Sequence, residues 1–336
     1  MTDGAAPTSP RASGAFAAAS SFVRARPLAA FLRFAIIVTI LRVFVLIASP
    51  AELGVDEIQY WVWSRAVDWG YFSKPPLIAW IIAATTGVFG DAEWAVRFAA
   101  PLLHAGSSVF IALTGARLYD ARVGAVAGLG WLSLPSVALS SFVISTDAPL
   151  LFFWSAALYC FVRLVEAPAS RGVAAALGVA VGLGLLAKYA MIYFVAGVVV
   201  AAILSPRARA ALKPVPAAIA GAIAGLLLAP NIWWNSRHGF QTVVHTAANA
   251  NWREASFNIA KLGEFLGEQI AIVGPVFAVL LVWGLTTIRK RSGPERRDRD
   301  LMLVAFVLPP LVVVAVQAFI SRAHANWAAT AYPAAI

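Results

Sequence analysis

The 336-residue sequence contains little charge and almost no cysteine. Asp, Glu, Lys and Arg together make up 12% of the residues, whereas 61% are hydrophobic and the mean hydropathy is +0.79. A water-soluble globule needs far more polar residues than this to cover its surface. The single cysteine, Cys160, excludes an intrachain disulfide. The sequence therefore indicates an integral membrane protein.

Acidic residues are especially scarce, with 16 Asp and Glu against 26 Lys and Arg, which gives a formal net charge of +10. The basic residues fall in short clusters between apolar runs rather than on one face, so nucleic acid is not a predicted partner. An excess of Lys and Arg marks cytoplasmic loops. The clusters that we assign to the cytoplasmic side are Arg24 to Arg26, 117–122, 163–171, 207–213 and 289–299.

Apolar segments that approach the roughly 20 residues of a membrane span recur along the chain. The spans predicted from hydropathy and from the basic clusters are 28–48, 98–116, 123–143, 148–165, 172–187, 189–204, 215–233, 269–288 and 301–320. The sequence thus predicts an all-α polytopic protein, with a basic cytoplasmic tail at 1–27 and one transmembrane domain at 28–336. Residues 49–97 form its first outer loop, where many aromatic residues favour short interfacial helices. A further span starts near Ala335, so we expect the protein to continue beyond the C-terminus.

Most ionisable residues outside the basic clusters are predicted at the outer ends of helices or in the outer loops. Charged groups near hydrocarbon are costly and usually face a cavity or a partner. Carboxylates there could act as a general base or hold a divalent metal, and lysines could neutralise a phosphate leaving group. The pattern indicates group transfer from a lipid-phosphate carrier. The residues are Asp56, Glu57, Lys74, Asp147, Lys188, Arg237, His238 and His324.

Each of these residues also has a purely structural interpretation. Asp56 and Glu57 could start a helix, because acidic groups favour helix N-termini. Asp147 could cap a helix. Lys74 and Lys188 could extend to the headgroups, and the two histidines could be packing residues. Taken singly, these interpretations are at least as strong as the functional ones.

Four motifs, in order and spacing, resemble those of bacterial family-39-type glycosyltransferases with the GT-C fold. The resemblance covers roughly residues 30–336 and includes the lipid A aminoarabinose transferases and the protein O-mannosyltransferases. It implies a GT-C-like helix bundle with interfacial helices in the first outer loop. The motifs are Gly54-Val55-Asp56-Glu57, the segment 71–77 that contains Lys74-Pro75-Pro76-Leu77, Ser145-Thr146-Asp147-Ala148-Pro149-Leu150, and Leu186-Ala187-Lys188-Tyr189. Glu93 to Arg97, the segment 230–235 with Gly239-Phe240, and His324-Ala325-Asn326-Trp327 are also similar to segments of bacterial members.

The resemblance implies an inverting transfer of sugar from a polyprenyl-phosphate donor to an envelope glycolipid, such as lipid A or lipopolysaccharide, or to a protein. The site would face the periplasm from the bacterial inner membrane. Asp56 would be the catalytic base, Glu57 and Asp147 would orient the acceptor or a metal, and Lys74 and Lys188 would bind the donor phosphate. A divalent metal is the one cofactor that these roles leave open. Further substrate contacts are predicted for Tyr60, Arg65, His238, His324, Asn326 and Trp327.

The sequence departs from some aminoarabinose transferases at two positions. Ser73 stands before the motif lysine, where those enzymes have Glu, and Gln59 stands two residues after Glu57, where they have Arg. These departures weaken the prediction of a metal site or a phosphate-binding site built on the two positions. Two rival functions remain. A ligase or polymerase that moves a whole glycan from a lipid pyrophosphate would use a similar pocket. A transporter of the lipid-linked sugar is disfavoured, because transporters place polar residues near the midplane and show internal repeats.

Overall fold

The computed structural model describes residues 25–251, 257–288 and 293–336, and all regular elements within these ranges are helices. Most of the predicted tail and residues 289–292, which include the basic run 289–291, lie outside the described residues. The α-helices are α1 Pro27–Ala48, α2 Val55–Ser64, α3 Leu77–Phe89, α4 Glu93–Arg97, α5 Ala99–Leu118, α6 Ala121–Ser133, α7 Pro135–Ser140, α8 Asp147–Glu166, α9 Arg171–Ala187, α10 Ile192–Leu204, α11 Pro206–Ala211, α12 Pro214–Arg237, α13 Gln241–Asn249, α14 Ile259–Val273, α15 Pro275–Thr287, α16 Pro294–Ile320 and α17 Tyr332–Ala335. Two 3₁₀ turns, Tyr189–Met191 and Ala325–Ala331, complete the set.

Within the described ranges, five helical segments are long and apolar enough to cross a membrane: α1, the joined α4 and α5, α8, α12 and α16. Shorter apolar helices, α3, α9 and the helical segment ending in α10, lie among them. Helix α1 exposes Ile40 and Phe44 by more than half of their surfaces. Exposed apolar side chains over a whole helix face suit lipid rather than water. The predicted polytopic helix bundle is confirmed.

The interior of the bundle is an aromatic cluster shared by α8, α10 and α16. Phe194 packs edge-on against Trp154, with ring centroids 5.3 Å apart, and it also contacts Phe306 at 4.8 Å. Phe161 contacts the same Phe306 ring at 5.3 Å. All four side chains are buried. Burial of these large side chains fixes the three helices relative to one another. It therefore also fixes the positions of the residues at the helix ends.

Two predicted spans are wrong in their bounds. The segment 123–143 is broken at Leu134, because Pro135 removes a backbone donor and starts the separate helix α7. The segment 269–288 is divided between α14 and α15, which meet at 109°. Gly274 lies between them with φ +81°, a conformation that glycine adopts readily, and Pro275 then begins α15. Much of the predicted polar loop 235–268 is also helical, in α13 and the first part of α14.

The bundle has two chemically different ends. At one end Arg117 and Arg163 both pair with Glu166, at 3.5 and 3.4 Å. Arg299 donates there to the carbonyl of Leu118 at 2.7 Å. These residues come from predicted basic loops. The opposite end gathers the first outer loop, the start of α8, the end of α9, the end of α12 and the turn after α16, and the predicted site lies there.

Candidate active site

Asp147 is the first residue of α8 and binds partners from two other parts of the chain. Its Oδ1 accepts a hydrogen bond from Lys188 Nζ at 2.6 Å, and its Oδ2 accepts one from Asn326 Nδ2 at 2.7 Å. The N-cap of α8 is Thr146, which makes no capping bond through its side chain. The Asp147 carboxylate therefore links helices rather than capping its own.

Lys188 ends α9 in an extended conformation, with φ −162° and ψ 134°, and a 3₁₀ turn follows at once. The next residue, Tyr189, is held by α12: its hydroxyl donates to Asn231 Oδ1 at 2.8 Å and accepts from Asn235 Nδ2 at 3.2 Å. Asn231 and Asn235 are buried. This polar network fixes the break in the helix that turns Lys188 toward Asp147.

The first outer loop is fastened to the same part of α12 and to α13. Asn231 Nδ2 donates to the carbonyl of Trp69 at 2.7 Å, and Trp234 Nε1 donates to Asp68 Oδ2 at 2.7 Å. Thr242 Oγ1 donates to the carbonyl of Tyr71 at 2.6 Å. These three bonds hold the backbone that leads into Lys74.

Lys74 is half-buried beside the other charged residues of the site. Burial, followed by the ammonium of Lys188, lowers the pKa of Lys74 below its usual value near 10.5, while Asp56 and Asp147 act in the opposite direction. Lys188, Asp56 and Asp147 are thus all near enough to act on the Lys74 ammonium. Two ammonium groups and two carboxylates gathered at a helix-bundle end can bind an oxyanion and accept a proton.

Asp56 lies in the first turn of α2 and is exposed. Tyr60, one turn further along α2, is buried, and this burial raises the pKa of its hydroxyl, with Asp56 and then Asp147 adding to the rise. Tyr60 therefore stays protonated at neutral pH, and its contact with substrate stays a prediction.

Glu57 differs from its neighbour because its side chain is almost completely enclosed. Oε1 accepts from Arg97 Nε at 2.8 Å and from the amide of Ile144 at 2.9 Å. Oε2 accepts from Arg97 Nη2 at 2.7 Å and from the amide of Gly54 at 2.9 Å. Burial alone would raise the pKa of Glu57, but these bonds hold it below its usual value near 4.5. Four donors occupy the carboxylate, so no acceptor position is left for a substrate or a metal.

The other predicted substrate contacts are divided between two locations. His324 packs edge-on against Trp327 at 5.2 Å, next to the Asn326 that binds Asp147. Arg65 instead pairs with the exposed Asp91 at 2.5 Å.

The last of the predicted contacts, His238, stacks on Trp234 with ring centroids 4.0 Å apart. Its Nδ1 lies 2.8 Å from the carbonyl of Trp234. Arg65 and His238 are therefore engaged with the outer loop and with α12, and the structure gives them no contact with Asp147.

A cavity of about 740 Å³ opens beside Asp147, between α6 to α8 on one side and α14 with the turn after α16 on the other. His324 and Asn326 line it, together with Arg322. Most of the remaining wall is apolar. Asp147 lines this cavity, and its two oxygens accept from Asn326, which also lines the cavity, and from Lys188, which does not. In the part of the chain that the structure describes, no three His, Cys, Asp or Glu side chains are grouped to hold a metal ion.

Sequence reasoning missed the roles of Arg97, Asn231 and His245. An arginine at the start of an apolar run requires a carboxylate partner, so Arg97 could have been paired with one of the loop acids. The His245 ring packs against Phe72 with centroids 5.1 Å apart, and burial and then the Lys74 charge lower its pKa. It lies in α13, which hydropathy alone placed in a polar loop.

The sequence and the fold are similar to those of known membrane glycosyltransferases. The family profile described as dolichyl-phosphate-mannose-protein mannosyltransferase matches residues 73–234. The lipid A galacturonosyltransferase RgtD of Rhizobium johnstonii is 39% identical over 298 residues, which cover 88% of this chain and 62% of that protein. The undecaprenyl phosphate-α-4-amino-4-deoxy-L-arabinose arabinosyl transferase of Yersinia enterocolitica is 29% identical over 146 residues, 41% of this chain and 26% of that protein.

Among solved structures, ArnT from Cupriavidus metallidurans bound to undecaprenyl phosphate matches with a TM-score of 0.72 and 19% identity, over 90% of this chain and 57% of that one. The predicted GT-C-like fold and the resemblance seen in the motifs are confirmed. The chain spans less than two thirds of the length of these relatives.

Proposed function

We propose that this chain carries the catalytic core of a membrane glycosyltransferase that moves a sugar from a polyprenyl phosphate to lipid A or a related envelope glycolipid. The observation that carries the proposal is the group of Lys74, Lys188, Asp56 and Asp147 at one end of the bundle. Cations for a phosphate leaving group and a carboxylate for an acceptor hydroxyl are what this transfer requires. The similarity to RgtD, over most of the chain, supports galacturonic acid as the sugar.

In the proposed reaction the acceptor enters from the cavity beside Asp147. Asp56 removes the proton of the acceptor hydroxyl, whose oxygen attacks the anomeric carbon of the donor. The bond from that carbon to the phosphate oxygen breaks, and the polyprenyl phosphate leaves with the bonding electrons, stabilised by Lys74 and Lys188. Displacement from the opposite face inverts the anomeric centre. Asp147, neutralised by Lys188, orients the acceptor.

The site is proposed to face the periplasm from the inner membrane. The basic residues that pair with Glu166 and bind Leu118 gather at the other end of the bundle, and the positive-inside rule assigns that end to the cytoplasm.

The test is a transfer assay with the purified full-length protein in lipid nanodiscs, lipid A as acceptor, and undecaprenyl-phosphate galacturonic acid as donor. Mass spectrometry should show lipid A heavier by one hexuronic acid, and NMR of the product should show the inverted anomer. Lys74→Ala should weaken donor binding about 10–100-fold, the loss expected for a charge-assisted hydrogen bond. Transfer only from a lipid-pyrophosphate glycan would support the ligase alternative. Donor translocation without transfer would support a transporter.

A further inference from the structure

The buried pair of Glu57 and Arg97 joins the two segments that carry the catalytic carboxylates. Glu57 directly follows Asp56 in the first turn of α2. Its Oε1 accepts from the amide of Ile144, three residues before Asp147, in the turn between α7 and α8. One carboxylate thus bridges two chain segments that are 87 residues apart.

Arg97 restrains the Glu57 carboxylate and ties it to the backbone before α2. It forms a bidentate pair with Glu57, and its Nη1 and Nη2 also donate to the carbonyls of Ala51 and Glu52 at 2.8 and 2.7 Å. The side chains of Glu57 and Arg97 are 3% and 6% exposed. Because the planar guanidinium binds both the Glu57 carboxylate and the backbone just before α2, the start of α2 has little freedom to shift.

We propose that Glu57 is a positioning residue: its carboxylate, held by Arg97, fixes the separation of Asp56 from Asp147 by binding the turn that carries Asp147. This inference rests on the proposed function, in which both carboxylates act on the acceptor. Glu57 lies one peptide bond from Asp56, and Ile144, whose amide donates to Glu57, lies three peptide bonds from Asp147. A small change at Glu57 therefore moves the reacting groups relative to each other, whereas the backbone that leads into Lys74 and the residue after Lys188 are held by the network around Asn231.

The test uses Glu57→Asp in the full-length protein. Aspartate keeps the charge opposite Arg97 but is one methylene shorter, so it cannot reach Arg97, Gly54 and Ile144 together. We expect turnover to fall about 10–100-fold, because a displacement of about 1 Å has effects of that size. Donor binding should be unchanged, and hydrogen exchange at the Ile144 amide should speed up. Glu166→Asp, which shortens a paired acid at the far end of the bundle, is the matched control and should change none of these quantities.

Glu57→Asp could reduce folding, so Glu57→Gln combined with Arg97→Gln is the second variant. It removes both charges together and keeps side chains that can hydrogen-bond, and the same split between turnover and donor binding is expected. Wild-type turnover per folded molecule in either variant would overturn the positioning role, as would a parallel loss of donor binding. Rapid exchange of the Ile144 amide in the wild type would overturn it without any activity assay. Absence of transfer by the wild type would instead contradict the proposed function.

Discussion

At the scale of single residues, the site combines four charges whose surroundings differ. Lys188 is paired with Asp147, whereas Lys74 is half-buried in the field of the other lysine and Asp56 is exposed at the start of α2. The separate structural interpretations of these residues are weakened by this arrangement. An Asp147 that only capped α8 would not need to contact Lys188 and Asn326.

Asp56→Asn should lower turnover about 10²–10⁴-fold, the usual effect of losing a general base, while donor binding stays intact. Asparagine preserves the size of the side chain and removes its basicity. Glu93→Gln is the control, because Glu93 is also an acidic residue in the first turn of a helix. Turnover is measured in nanodiscs with saturating donor. If Asp56→Asn transfers sugar at the wild-type rate, the role of general base belongs to Asp147 or the proposed mechanism is wrong.

Donor affinity should begin to fall at a lower pH than it would if Lys74 had the pKa of an ordinary lysine. Because burial lowers the pKa of Lys74 below its usual value near 10.5, the positive charge is present below that lowered pKa and is lost as pH rises through it. The donor dissociation constant should then increase by up to about tenfold per pH unit above the pKa of free Lys74. Lys74→Arg stays charged throughout and should flatten this dependence between pH 8 and 10. An equally steep curve for the arginine variant would assign the titration to another group.

At the scale of helices and loops, hydropathy located most spans, and local backbone chemistry decided where they break. The break at Leu134 and the bend at Gly274 each coincide with a following proline, which is visible in the sequence. What could not be predicted is that the chain folds back by 109° at Gly274, because the direction of a bend depends on contacts with distant helices. Which of the loop acids pairs with Arg97 could not be predicted either, because 40 residues separate Arg97 from Glu57.

The contact between the first outer loop and α12 leaves no room for a side chain at Gly70. A Cβ atom there would lie 2.4 Å from the Trp234 ring and 3.0 Å from Asn231 Nδ2. Gly70→Ala should therefore displace the loop that carries Lys74, destabilising the protein by about 1–3 kcal/mol and weakening donor binding. Gly221→Ala is the control on α12, because its Cβ would meet no atom within 4 Å. Thermal unfolding and donor titration distinguish the two variants, and equal behaviour would contradict the tight loop contact.

At the scale of the whole molecule, the proposed orientation of the bundle in its membrane rests on the basic residues at one of its ends. Cys160 is the only cysteine, so Cys160→Ala gives a cysteine-free background. In this background a cysteine at Ser236, exposed at the end of α12, should react with a membrane-impermeant maleimide added to the periplasmic side. A cysteine at Ala169, exposed in the turn after α8, should react only after the membrane is opened. Reversed labelling would place the site on the cytoplasmic face.

The buried pair of Glu57 and Arg97 also constrains which substitutions relatives of this protein can accept at the two positions. Loss of either partner leaves the other as an uncompensated buried charge, at a cost of about 3–5 kcal/mol. Substitutions at the two positions should therefore be inherited together, so that relatives lacking an acid at the position of Glu57 also lack a base at that of Arg97. Lys188 and Asp147 are more accessible to solvent, and their positions should vary more independently wherever the chemistry of the site allows it.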